Sequence, residues 1–392
     1  MQAITVAEAR RNLPISVRSE ISILMAALFS MCLIVFSSTD LLATIYYVSP
    51  TGLDSNTGLS VTTPWRTVGK AVATVQAGDT VYIRAGRYFE HNYIRTSGTS
   101  GARITFTGYP GDLPARPILD GTGGAAPTPS FWNNLPILGI AADYITLHGL
   151  EITNAVGSDQ IKAGDSSFLI LDKLVIHDGY GAGIRLYNAW NSVISNNIIY
   201  NEFAGGDTDC LSLGGDTQGS GGRHHIHHNI VAYCSDDGID TWYNSDNIIE
   251  NNTTFKTGYG RDGSHVGDGN GFKLGPPGNN IVRNNLSVGN YLRGFDYNSG
   301  SNVQLWNNNA YQNPYNYHGV ILVSGNLTVD PMFVSTDPTS PNFLRLSPSS
   351  PAIDAGIDVG FPYKGSAPDI GALEYGEVDS LRPASPINLS IR

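Results

Sequence analysis

Five times between residues 196 and 310 the chain repeats a short strand-like segment whose second residue is asparagine. The segments are Asn196-Asn197-Ile198-Ile199, His228-Asn229-Ile230-Val231, Asn251-Asn252-Thr253-Thr254, Asn284-Asn285-Leu286-Ser287 and Asn307-Asn308-Asn309-Ala310. Successive Asn residues (197, 229, 252, 285 and 308) are 32, 23, 33 and 23 positions apart. An apolar column keeps step with them: Ile184, Leu211, Ile239, Phe272 and Phe295. Each column residue precedes its Asn by 13, 18, 13, 13 and 13 positions, and each Asn precedes the next column residue by 14, 10, 20 and 10. The unit is therefore 23 residues, with loops inserted at three places. Short β-like segments at such a step, with no helical periodicity, predict an all-β solenoid of stacked strands. A single coil cannot bury its apolar side. Stacking buries it and sets equivalent residues about 4.8 Å apart. The recurrent Asn suits a turn that needs either a left-handed backbone angle or side-chain bonds to neighbouring backbone, and stacked Asn can bond to one another as a ladder. Tyr144–Asn154 and Phe168–His177 continue the pattern less regularly.

The ends of a solenoid need cover. Trp65 to Val75, after Pro64, reads as a short helix that would cap the N-terminal end. The turn-rich stretch from Asp330 to Tyr375 would cap the other. Residues 1–43 read separately, as a secretory signal peptide: Arg10, Arg11 and Arg18 precede an uncharged apolar run, Ile21 to Phe36, that is short for a membrane span of ~20 residues. Leu41-Leu42-Ala43 is the expected cleavage site, and the long basic region leaves an uncleaved anchor as the alternative. This reading predicts a β-helix domain over 44–376, a flexible Pro/Ser tail over 377–392, and a secreted protein, extracellular or periplasmic. Export permits a disulfide between Cys210 and Cys234, but two cysteines make no framework, and pairing stays open. Composition excludes other classes. Charged residues are 15% of the chain, against a usual ~25%, so a helical bundle or coiled coil is out. A net charge of -11 excludes a charge-driven nucleic-acid binder.

The insertions point to a site. Asn201–Thr208 and Thr257–Asp268 lengthen the same turn, the one leading into the apolar column, and Gly214–Gly222 follows it. Loops rising beside one sheet make a groove. Registering the coils on the column places Asp209 under Asp237 and Thr208 under Asp236. One position beyond the column, Arg185, Ser212, Asp240, Lys273 and Asp296 stack in that order. Column residues point inward, so their neighbours point outward. Asp209, Asp236, Asp237 and Asp240 should then crowd one patch over two coils, with Lys273 a coil further on. Carboxylates so close repel, and a hard divalent cation relieves this; Ca2+ takes six to eight oxygens in loose geometry. The competing reading makes these Asp residues mere turn formers.

At these residues the chain resembles the pectate lyases of polysaccharide lyase family nine. The motifs that carry the resemblance are Asp207-Thr208-Asp209-Cys210-Leu211, Ser235-Asp236-Asp237-Gly238-Ile239-Asp240 and Gly269-Asn270-Gly271-Phe272-Lys273-Leu274-Gly275. The opening Tyr47-Val48-Ser49-Pro50-Thr51-Gly52 and the closing Asp369-Ile370-Gly371-Ala372 are also similar to exported β-helix proteins. The resemblance implies a right-handed parallel β-helix, Ca2+ held by Asp209, Asp236, Asp237 and Asp240, and Lys273 as the catalytic base. Cys210 departs from the family, which more often has Gly there. The implied reaction is β-elimination of a uronate polymer, pectate by family default. A cation on the substrate carboxylate would stabilise the developing charge and let an acidic protein bind an acidic chain. Lys273 must be neutral to act, and a nearby dication and partial burial lower its pKa; an ion pair with Asp296 would oppose this. Arg185 and Arg293 are candidates to grip further substrate carboxylates, with Arg261 read as a surface residue. The run Arg223-His224-His225-Ile226-His227-His228 lacks zinc-ligand spacing, and His265 reads as a loop residue. The protein is expected to act as a monomer on an acidic polysaccharide, away from nucleic acid and, after cleavage, from the membrane. Two rivals remain. One is a polygalacturonase-like hydrolase, whose Gly-His-Gly is here Gly269-Asn270-Gly271 and whose Arg-Ile-Lys is missing. The other is a non-catalytic carbohydrate-binding β-helix.

Overall fold

The computed structural model describes residues 43–123, 136–206, 208–297 and 302–377. The expected signal peptide up to Leu42, Asp207 and all of the expected tail but Glu377 lie outside the described residues. Three parallel sheets form the walls of a solenoid. Sheet A has eleven strands, from Ile45–Val48 to Ile321–Ser324. Sheets B and C have nine each, B from Gly86–Tyr88 to Asn309–Tyr311 and C from Asn92–Ile94 to Tyr315–His318. One coil shows the order: Ile170–Asp172 in A, Val175–Gly179 in B, Ile184–Tyr187 in C, then Val193–Ser195 back in A. Among the described residues no helix is long and apolar enough to cross a membrane.

The apolar column lies in sheet C in the expected register: Ile184 pairs with Leu211, Leu211 with Ile239, Ile239 with Phe272 and Phe272 with Phe295. All five are fully buried, and each such side chain contributes about 1.5–3 kcal/mol by leaving water. The Phe272 and Phe295 rings stack at 4.6 Å and 5°.

The asparagines form a ladder in the turn from A to B. Asn197 Nδ2 donates to Asn229 Oδ1 at 2.9 Å, Asn229 to Asn252 at 2.9 Å, Asn252 to Asn285 at 3.0 Å, and Asn285 to Asn308 at 3.0 Å. Each also bonds backbone; Asn252 Nδ2, for example, reaches Ile226 O at 2.9 Å. Of the two alternatives expected for the recurrent Asn, it takes the side-chain bonds. The left-handed angle falls on the residue before, as in Asn196 (φ 56°), His228 (55°) and Asn251 (53°), while the ladder Asn makes the bonds. Asn326 adds a sixth rung, accepting from Asn308 Nδ2 at 3.2 Å.

The N-terminal helix, α1 (Val68–Val72), is shorter than expected. Thr67 caps it by accepting the Lys70 N–H at 3.1 Å, and Glu90 accepts the N–H groups of Val68 and Gly69 at 3.0 and 2.8 Å. It packs on Asn92–Ile94, the first strand of sheet C. The C-terminal stretch lies along the outside of sheet B. Phe343, Leu344, Leu346, Ala352, Ile370 and Ala372 pack on outward-facing Ile230, Ala232, Phe255, Leu286 and Val288. Ala372 N donates to Thr253 Oγ1 at 2.9 Å, and Asn284 Nδ2 to Ile357 O at 2.8 Å. An apolar outer face of sheet B explains the placement, because that face needs covering as much as the end does. Ile321, Leu322 and Val323, in the last strand of sheet A, stay 41–49% exposed.

Candidate active site

Sheet C supplies the floor of the site. Its outward row runs Lys162, Arg185, Ser212, Asp240, Lys273, Asp296 and His318 in consecutive register. The insertions 201–208 and 257–268 leave sheet B and wall this floor on one side. A cavity of about 380 Å³ sits there, lined by Arg185, Asp209, Asp236, Asp240, Asp268 and Lys273 together with Tyr187 and Trp242.

The four expected aspartates meet, as a buried cluster under the loops rather than an open patch. Asp209 is 4% exposed, Asp236 3%, Asp237 0% and Asp240 8%. Oxygens of Asp209, Asp237 and Asp240 lie within 4.8 Å of one another, as do those of Asp236, Asp237 and Asp268. Backbone groups aim them. Asn270 donates to Asp237 Oδ1 through N (2.7 Å) and Nδ2 (2.9 Å), Trp242 N to Asp240 Oδ1 (2.8 Å), and Asp237 N to Asp209 Oδ1 (3.3 Å). Asp237 Oδ2 is buried and accepts no well-formed hydrogen bond. It faces the Lys273 ammonium at 3.0 Å. Lys273 Nζ also stands 2.9 Å from Asp268 Oδ2 and 3.6 Å from Asp240 Oδ2.

The electrostatics follow from burial and crowding. Burial, with Asp237 and Asp209 beside it, pushes Asp236 up to about 9. Burial pushes Asp237 up to about 7 against the pull of Lys273. Asp240 is well above the carboxylate range from burial and the Asp209 charge, and burial raises Asp209 too. Burial works against the Lys273 charge, but Asp240, Asp237 and Asp268 more than reverse this and raise its pKa. All donors in the cluster are carboxylate oxygens, and one buried oxygen lacks a hydrogen bond. This set suits a hard divalent cation such as Ca2+.

The arginines diverge. Arg185 projects into the cavity, paired with Asp159 at 3.1 Å and bonded to Ser212 Oγ at 2.9 Å. It also lines a neighbouring cavity of about 240 Å³ with Asp159 and Thr208. Arg293 lies a coil beyond Lys273, 3.5 Å from Asp296. Asp296 is held by His318 Nδ1 at 2.7 Å, so the carboxylate that threatened to pin Lys273 is engaged elsewhere. Arg261 covers the Phe203 ring and His265 stacks on Tyr291 at 3.7 Å, both tying down the 257–268 loop. His225, His227 and His228 gather around Phe361 on sheet A's side of the molecule, away from the groove. Cys210 and Cys234 form a disulfide, joining the coil of Asp209 to the coil of Asp236 and Asp237.

Sequence reasoning missed Asp268 and Trp242. Asp268 ends the flagged insertion, where length changes erase register. Trp242 follows Asp240 by two, and its ring lies 5.7 Å from Lys273 Nζ, yet a lone aromatic after a strand carries no distinctive signal.

Comparison with known proteins agrees with this architecture. A family model described as Pel9A-like, right handed beta helix region, matches residues 46–326. Pectate lyase L of Dickeya chrysanthemi is 28% identical over 392 residues, covering 84% of this chain and 90% of the relative. The crystal structure of pectate lyase Pel9A superposes with a TM-score of 0.65 at 24% identity, covering 86% of this chain and 98% of that one. A structure titled Rhamnogalacturonan lyase gives 0.61 at 21% identity, covering 78% and 97%. At these identities the two structures speak to the fold.

Proposed function

We propose that this chain, which belongs to the Pel9A-like right-handed β-helix family and is a polysaccharide lyase, cleaves a uronate polymer by calcium-dependent β-elimination with Lys273 as the base. Pectate is the first candidate, since curated relatives are named pectate lyases. The observation that carries the reading is the position of Lys273: its amine lies 3.0 Å from Asp237 and 3.6 Å from Asp240, one coil beyond, in the same cavity.

Asp209, Asp236, Asp237 and Asp240 would hold Ca2+. When bound, the ion draws charge from the substrate carboxylate and acidifies the proton on the adjacent carbon. The residues of the chain do the rest. Lys273 takes that proton, the C–H electron pair becomes a ring double bond, and the glycosidic oxygen leaves with the C–O bonding pair and takes a proton from water to become a hydroxyl. Lys273 is now held protonated by the carboxylates around it. A dication held by those carboxylates would offset the negative charge that favours the ammonium form of Lys273. Arg185, at the junction of two cavities, is placed to take a second uronate carboxylate. Arg293 is assigned the same role a coil further on. The protein would act as a secreted monomer.

A panel of polyuronates, assayed with calcium or chelator and read by ultraviolet absorbance of the unsaturated product, tests this. Lys273→Ala should form no product while still binding calcium. Substantial residual cleavage by that variant would refute the base assignment, and saturated products would favour a hydrolase.

A further inference from the structure

We propose that Asp268 is a fifth carboxylate of the cation site, delivered by the 257–268 loop, an inference that rests on the calcium reading above. Within the buried cluster the carboxylate oxygens fall into two trios: Asp209, Asp237 and Asp240 form one, and Asp236, Asp237 and Asp268 the other. Adding Asp268 joins Asp236 to the other carboxylates about Asp237 and brings a fifth side chain to an ion that takes six to eight oxygens.

The loop is built to keep it there. Arg261 lies over Phe203 on one coil, and His265 stacks on Tyr291 on another, so the loop is fastened on both sides of the cluster. Tyr259 and His265 close its neck by an antiparallel bridge. Its last turn rests on Asp236: the Asp268 N–H donates to Asp236 Oδ1, and Gly267 passes so close that any Cβ would collide with that carboxylate. Asp268 is the loop carboxylate nearest the amine, 2.9 Å from Lys273 Nζ. With calcium seated on Asp236 and Asp237, the same carboxylate faces the ion as a ligand. Asp262, in the same loop, instead bonds Ser264 within the loop, at 2.9 Å to N and 2.6 Å to Oγ.

Calorimetric titration of the whole protein with calcium chloride separates a ligand from a mere partner of Lys273. Asp268→Asn should weaken calcium binding about tenfold or more, Asp268→Glu should restore it to within about threefold, and Asp262→Asn should leave it unchanged. Melting curves in chelator should be the same for all variants, because Asp268 is an exposed loop residue. Wild-type affinity in Asp268→Asn overturns the inference and leaves the calcium reading standing. An equal loss in Asp262→Asn also overturns it, by showing a general effect of loop charge. A wild-type protein that binds no calcium overturns both.

Discussion

Asp237 is where the residue-scale argument concentrates. It belongs to both carboxylate trios, it faces Lys273, and its second oxygen lacks a hydrogen bond. Asp237→Asn should reduce calcium affinity at least a hundredfold, measured by titration calorimetry, since it removes a shared anionic ligand. Burial and crowding raise Asp237 to about 7 and Asp236 to about 9, so calcium binding there as proposed would displace protons. Affinity should therefore climb between pH 6 and 8, with proton release visible as a dependence of binding heat on buffer ionisation enthalpy. Glu202 gives a second, independent case. It is wholly buried, bonded by Gln160 Nε2 at 2.9 Å, and burial pushes it up to about 8. With the folded pKa raised, its contribution to stability is complete below about 4.5 and is lost as the pH rises toward about 8. Glu202→Gln should raise the melting temperature by roughly 3 °C or more at pH 8 and change it little near pH 4.5. At this scale the chain was readable wherever register held. Lys273, Asp240 and Ser212 could be stacked because each follows a column residue by one. Asp268 could not, because the 20-residue gap between Asn252 and Phe272 hides which of its residues return to the cluster. Asp236 and Asp237 could be placed, but not their burial, which depends on loops that no periodicity describes.

Among the elements, the asparagine ladder is the most interdependent. Asn252 joins Asn229 to Asn285 and also bonds the carbonyls of Ile226 and Glu250, all out of water. Asn252→Ala would strand several buried groups at once, and should cost about 2–4 kcal/mol in chemical denaturation. The disulfide is a different kind of tie. It spans 24 residues between the two coils that carry the aspartates, immediately after Asp209 and two residues before Asp236. Cys210→Ser with Cys234→Ser should lower stability by about 3 kcal/mol. The column and the Asn spacing announced the coils from sequence alone, whereas the pairing of two cysteines became decidable only once the coils were stacked. The surface that the C-terminal stretch covers was not legible for a related reason: turn-rich chain without a repeat does not say which face it will lie on. His227 and His228 mark one contact of that stretch, around Phe361. Burial, with neighbouring histidines, depresses His227 to about 3, and burial depresses His228 to about 4.

For the molecule as a whole, the stacked coils and the C-terminal stretch depend on each other. Ending the chain at Val329 would expose Ile230, Ala232, Phe255, Leu286 and Val288 along sheet B. Such a truncated protein should bind a hydrophobic dye and scatter light at temperatures where the full chain stays clear. Calcium, on the proposed reading, would act on the same whole, because Asp209 and Asp237 come from separate coils and meet only when these are stacked. Saturating calcium should raise the melting temperature, and chelator should remove the increase. The solenoid also has growth built into it. Each 23-residue turn meets its neighbours through the same backbone pairing, and the outward row on sheet C continues past Arg185 to Lys162. A gene duplicating one turn ahead of Ile161 would lengthen the furrow by a single rung while leaving Lys273 and the aspartates around it in register, so the reach of such a lyase along its polymer can evolve separately from that cluster.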